Sequence, residues 1–181
     1  MENTLAAMRV GLRGLVHNPL AQGAAAIRHR RTQRNWKPQR VDGIVDGLIL
    51  FDGVCLLCSR SVRFVLERDP AARFRFAPIE SAYGTALATR LGITAGTPET
   101  NAAIIGGWAY FKSDAAIQVL ARLPRWSWAR WLRVVPRPLR NWLYDLTARN
   151  RYRVFGRTEQ CFVPTPDVAA RFVGDGIAPT G

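Results

Sequence analysis

Cys55 and Cys58 are two thiols at C-x-x-C spacing, embedded in Leu48-Ile49-Leu50-Phe51-Asp52-Gly53-Val54-Cys55-Leu56-Leu57-Cys58. The apolar run ends in an Asp-Gly turn, and Val62, Val65 and Leu66, with Phe64 nearby, then follow a helical pattern. A strand feeding a helix that opens on two cysteines is the local geometry of a dithiol redox site. The helix start offers unpaired backbone N–H groups and a positive dipole end, and both favour a thiolate over a thiol. Cys55, at the helix start, is expected to be the more exposed and to act as nucleophile, with Cys58 one turn further in as resolving partner. A free cysteine titrates near ~8.5, and helix-start C-x-x-C sites lower this into roughly 3.5–7.5. Cys55 as thiolate would then attack a disulfide, and Cys58 would release the product by attacking Cys55.

Asp52 stands beside the thiols with two readings open. It would relay or modulate the proton of Cys58, or it would form the turn with Gly53 and cap the helix through its carboxylate. A negative charge there opposes thiolate formation at Cys55.

The elements that would position these residues can be read in order. Leu48–Phe51 suits a short buried strand, and the helix from about Cys55 stops at Arg68 before Asp69-Pro70. Arg73-Phe74-Arg75-Phe76-Ala77 alternates as a half-buried strand with Pro78 as its break, and Ala82–Leu91 is a helix closed by Gly92. Ala102–Ile105 and Trp108–Phe111 flank Gly106-Gly107, a hairpin signal, after which Ser113 or Asp114 would cap a helix through Ala116, Ile117, Leu120 and Leu123. Strand, helix, strand, helix, hairpin, helix is an α/β order with the core arrangement of the thioredoxin-like fold. Extra C-terminal helices follow. Trp128, Trp131, Leu132 and Val135 mark one apolar stripe, ended by Pro136 and Pro138, and Leu139, Trp142, Leu143 and Leu146 mark another.

Composition narrows the classes. The 181 residues carry a net charge of +13, and residues 1–40 hold eight basic residues against Glu2 alone. We read 1–42 as a basic, disordered extension, 43–165 as the redox domain with its helical segment, and 166–181 as a flexible tail. The extension also suits an organelle transit peptide, though short of Ser, or an arm for an anionic partner. Three cysteines do not make a secreted disulfide scaffold, and a cytoplasmic dithiol with one extra cysteine fits better. No apolar run is long enough to span a membrane as a helix. Cys55, Cys58 and Cys161 fall short of a zinc site, because His17 and His29 lie in the extension, and Ser59 after Cys58 excludes haem attachment. Neither a metal nor another cofactor is expected.

Taken together, several segments resemble the DCC family of predicted thiol-disulfide oxidoreductases. They are the Phe51–Cys58 segment, Ser61–Val65 with Arg68-Asp69, Phe74–Pro78, Ser113–Ala116, Tyr144, Ala148–Tyr152, Phe155-Gly156 and Cys161. The likeness covers roughly residues 47–165. It implies a thioredoxin-like fold and dithiol–disulfide exchange with a protein or low-molecular-weight disulfide, fed by an unidentified reductant or oxidant. Two positions depart from classical thioredoxins. Ile49 stands where those proteins bury a strand acid, and Glu99 stands where their cis-proline falls; Thr97-Pro98, one residue away, would fill that role with a small shift, or the site lacks it. Arg149, Asn150, Arg151 and Tyr152 would line the cleft, where a guanidinium stabilises a thiolate, or would end a helix with dipole-matching cations. Cys161 would resolve or relay a disulfide, or would pack as a buried apolar residue.

An alternative of another class starts from Arg122–Arg157, which holds ten arginines, the single acid Asp145, and rings at 126, 128, 131, 142, 144 and 152. Arginine with aromatics suits nucleic acid, and amphipathic helices of this kind suit anionic lipid, the cysteines then being structural. Because Trp128, Trp131 and Trp142 fall on the apolar stripes, these rings are expected in the core with arginines on the wet side.

Overall fold

The side chains of β2 (Leu48–Phe51) alternate between two cores, and that alternation organises the molecule. Leu48 and Leu50 enter one core with Ala102 and Ile104, while Phe51 joins Ala103 and Ile105 in the other, as a period of two requires. The computed structural model describes residues 36–158 and 164–174. Within them the sheet runs β1 (Gln39–Arg40), β5 (Trp108–Phe111), β4 (Ala102–Ile105), β2, β3 (Arg75–Pro78). β2 and β3 are parallel, and every other pair is antiparallel. α1 (Leu56–Arg68) and α3 (Lys112–Leu120) pack on one face, and α2 (Ala82–Leu91) packs on the other. The fold is mixed α/β with a five-stranded sheet, in the thioredoxin-like arrangement.

Local chemistry explains most boundaries. Gly106 and Gly107 both take positive φ, 60° and 73°, the two-residue hairpin turn that glycine permits. Gly92 closes α2 at φ 75°, and Ser81 caps its start by accepting from Gly84 N at 2.9 Å. Pro78 does not break its strand but ends it, because β3 lies at the sheet edge where a missing N–H is tolerated.

The structure departs from several expectations. The compact unit begins at Trp36 rather than after residue 42: Trp36 and Val41 are buried, and β1 pairs with β5. Residues 166–174 are likewise no tail. Phe172 stacks on Phe76 with ring centres 5.3 Å apart, and Val173 N donates to Phe76 O at 2.7 Å. Arg171 donates to Asp69 Oδ2 at 2.5 Å and to Phe74 O at 3.0 Å, so this stretch shields the β3 edge. The remainder of the expected extension, 1–35, and of the expected tail, 175–181, lies outside the described residues. The start of α3 is capped by neither Ser113 nor Asp114. Thr100 Oγ1 accepts from Lys112 N at 2.8 Å instead, and Asp114 is left to pair with Arg137 and Arg140 at 2.7 and 2.9 Å.

The largest departure lies in the C-terminal helices. A 3-10 helix spans Ser127–Val134, and α4 spans Arg137–Phe155 with Pro138 in its first turn. Their stripes do not face the core: Trp128, Trp131 and Trp142 are 52%, 66% and 59% exposed. Tyr144, Ala148 and Arg151, spaced four and three residues apart, form the inward face of α4. The periodicity identifies a face, but polar groups satisfied by ion pairs decide which face turns in. Lys112 Nζ, for example, meets Asp145 at 2.7 Å.

Candidate active site

Cys55 is itself the N-cap of α1. Its backbone is extended, and its Sγ accepts from Cys58 N at 3.4 Å. Asp52 therefore does not cap the helix. Its Oδ1 accepts from Val54 N at 3.2 Å inside the turn, while Oδ2 accepts from Arg151 Nη2 at 2.9 Å and from the Tyr152 hydroxyl. Arg151 Nη2 also donates to Pro98 O at 2.9 Å, which ties the 97–101 loop, the turn after β2 and α4 into one cluster. The Asp52 carboxylate is buried, as is Arg151, and each compensates the charge the other has lost from water. Gly53 N donates to Glu80 Oε2 at 2.9 Å, and a side chain at Gly53 would meet that same oxygen at 2.8 Å.

The two thiols are electrostatically unequal. Cys55 is held at about 6. The Cys58 thiol as hydrogen-bond donor contributes most, burial opposes it, and the Cys58 N–H adds to it; the Asp52 charge opposes and Arg151 assists. Cys58 is pushed up by its hydrogen bond to Cys55, by burial and by the neighbouring charge of Cys55. Tyr152 is pushed up to about 12 by burial and then by its bond to Asp52, so it stays a neutral hydrogen-bond donor to the carboxylate. Burial raises Glu80 and Tyr144 as well.

Neither thiol is open to solvent. Cys55 is 0% exposed and Cys58 6%, which reverses the expected order. The chain after α4 lies alongside Cys55: Arg157 forms an antiparallel bridge with it, and Thr158 N donates to Val54 O at 2.9 Å. On its other side Cys58 borders a cavity of about 460 Å³ between the sheet, α1, α3 and α4, lined mainly by apolar side chains such as Phe51, Val62 and Leu120. Asn101 Nδ2 reaches Cys58 Sγ at 3.8 Å, and the Tyr144 hydroxyl accepts from Asn101 N at 3.1 Å.

The model of the DCC1-like thiol-disulfide oxidoreductase family matches residues 49–157. The chain belongs to this family. It is 36% identical over 132 residues to the uncharacterized protein YuxK of Bacillus subtilis, an alignment covering 72% of this chain and 96% of that protein. It is 34% identical over 116 residues to a chloroplastic DCC family protein of Arabidopsis thaliana, covering 63% of this chain and 67% of that one. No solved structure matches the chain. The family assignment carries a general thiol–disulfide redox role, acting on disulfide substrates.

Of the residues expected at a DCC1-like site, the structure brings together Cys55, Cys58, Asp52, Arg151 and Tyr152, with Pro98 contributing its carbonyl. Among the described residues no peptide bond is cis, so Thr97-Pro98 is trans. Arg149 faces solvent, and Cys161 lies outside the described residues. No group of His, Cys, Asp and Glu able to hold a metal occurs among the described residues. Asn101, Thr100 and Glu80 escape sequence reasoning, since they sit in loops with no periodic or motif signal. Tyr144 is visible through the family likeness and as a ring of the Arg122–Arg157 segment, but not as the acceptor for Asn101 N.

Proposed function

We propose that the chain is a dithiol oxidoreductase in which Cys55 is the attacking thiolate and Cys58 the resolving thiol. The carrying observation is the Cys55 sulfur at the start of α1, accepting from the Cys58 N–H at 3.4 Å; the Cys58 thiol, as hydrogen-bond donor, is the chief cause that lowers its pKa to about 6. Cys55 attacks a substrate disulfide R–S–S–R′, forming a Cys55–S–S–R bond and expelling R′S⁻. Cys58 then attacks Cys55, its proton passing to the departing thiolate. A Cys55–Cys58 disulfide, the thiol RSH and the thiolate R′S⁻ result, the last taking its proton from solvent, so one two-electron exchange balances. Asp52, Arg151 and Tyr152 act as positioning residues that fix α4 against the thiol turn.

The substrate is a protein or low-molecular-weight disulfide, and a separate reductant or oxidant resets the pair. Nothing in the comparisons supports the alternative in which the cysteines are merely structural. No helix among the described residues is long and apolar enough to cross a membrane. We assign the activity to the cytoplasm or to an organelle such as the one named for the Arabidopsis relative.

Two variants test the roles. Cys55→Ser is expected to abolish reduction of insulin or glutathione disulfide while circular dichroism stays unchanged, and Cys58→Ser is expected to accumulate mixed disulfides on Cys55. Full activity in Cys55→Ser would overturn the mechanism.

A further inference from the structure

Leu139, Trp142, Leu143 and Leu146 repeat at three and four residues along α4, the spacing of a buried helix face. They are nevertheless 50%, 59%, 51% and 49% exposed. Trp128, Trp131, Leu132 and Val134 of the preceding 3-10 helix are exposed beside them in sequence, as is Val154 at the end of α4. Nine of the eleven large apolar side chains exposed among the described residues thus fall between 128 and 154. Single exposed apolar residues need no explanation, but four at helical spacing on one face of α4, with a 3-10 helix that packs on the same α3, are the pattern of an interaction surface.

Charge identifies the partner. Arg130, Arg133, Arg149 and Arg153 are exposed in the same stretch, and none forms an ion pair among the described residues. Asp145, the single acid between Arg122 and Arg157, is occupied by Lys112. Arg149 and Arg153 continue the stripe of Leu139, Trp142 and Leu146 at helical spacing. Like charge argues against a second copy of this face, and equally against the basic residues 1–35 of the same chain. Nucleic acid would match the arginines, but six of the nine apolar residues are Leu or Val, which offer no ring for a base to stack on. Tryptophans, aliphatic residues and arginines on the outward side of a helix match the boundary between lipid headgroups and acyl chains.

We propose that the 3-10 helix and the outward face of α4 form a docking surface for an anionic lipid bilayer. The chain would lie on the membrane without crossing it. The inward face of the same helix holds Arg151 and Tyr152 against Asp52, so docking would set the redox site at a fixed distance from the bilayer.

The test uses the full chain with phosphatidylcholine vesicles, with and without phosphatidylglycerol. Co-sedimentation with the anionic vesicles is expected, with blue-shifted tryptophan emission and weakening by salt. Trp131→Ser/Trp142→Ser/Leu143→Ser is expected to lower partitioning about tenfold or more, leaving circular dichroism and disulfide reduction in solution unchanged. Failure to bind anionic vesicles would overturn the proposal. So would binding that survives the triple substitution, because residues 1–35 would then carry it. Variant-sensitive binding to DNA or RNA without vesicle binding would reassign the face to nucleic acid, and variant-sensitive self-association without vesicle binding would reassign it to a second copy. Full activity in Cys55→Ser would overturn only the proposed function, so the two readings fail separately.

Discussion

With Cys55 as thiolate, the Cys58 thiol becomes its strongest hydrogen-bond donor, and that bond makes Cys58 harder to ionise. One proton between two sulfurs therefore governs both titrations. Cys58→Ala should raise the titration of Cys55 from about 6 toward an ordinary thiol, read from ultraviolet thiolate absorbance across pH. The linked stability follows in sign. A thiol whose folded pKa lies below its unfolded value stabilises the fold above ~8.5, and the contribution is lost as pH falls through the folded value. Thermal unfolding of the reduced protein should show this loss on acidification, and Cys58→Ala should show less of it. An unchanged Cys55 titration in that variant would leave the helix N–H groups as sufficient cause.

At the scale of elements, α4 is joined to the redox turn through one buried ion pair. Arg151→Met leaves the Asp52 carboxylate buried without its guanidinium and should destabilise the protein by about 3–5 kcal/mol. Tyr152→Phe removes one neutral donor from the same oxygen and should cost about 1–2 kcal/mol. Urea unfolding measures both, and equal costs would show that the charge of Arg151 is not what holds Asp52. This joint also marks the limit of what the sequence makes legible. The strand–helix–strand–helix–hairpin–helix order can be read because each element announces itself locally, through Gly92, Gly106-Gly107 and the Asp69-Pro70 stop. The Asp52–Arg151 pair joins residues 99 positions apart, and spacing alone does not say that Arg151 turns inward while Arg149 turns out. Thr100 and Asn101 acquire their roles only when the loop before β4 folds against α1, α3 and α4. The apolar residues of α4 are legible as a stripe, but a period carries no information about what covers a face.

For the molecule as a whole, charge and access are arranged on different sides of the same helix. Among the described residues Arg130, Arg133, Arg149 and Arg153 carry no ion pair, because Asp114 and Asp145 already tether α3 to α4. Access to the sulfur follows another rule. The backbone at Arg157 and Thr158 runs beside Val54 and Cys55, and the thiol beneath has no solvent-facing surface. Reaction at Cys55 then becomes a two-step process, an opening followed by the chemical encounter. Alkylation of Cys55 by iodoacetamide should reach a plateau with reagent concentration, the plateau reporting how often the neighbouring chain departs. Thr158→Pro, which deletes the N–H donated to Val54 O, should speed modification by up to about tenfold, the contribution of one such bond. A rate that stays linear in reagent and is untouched by that substitution would show the path lies elsewhere. An ionised sulfur kept behind such a segment would be insulated from the bulk thiol pool, and its specificity would reside in whichever partner can displace the chain at Arg157 and Thr158.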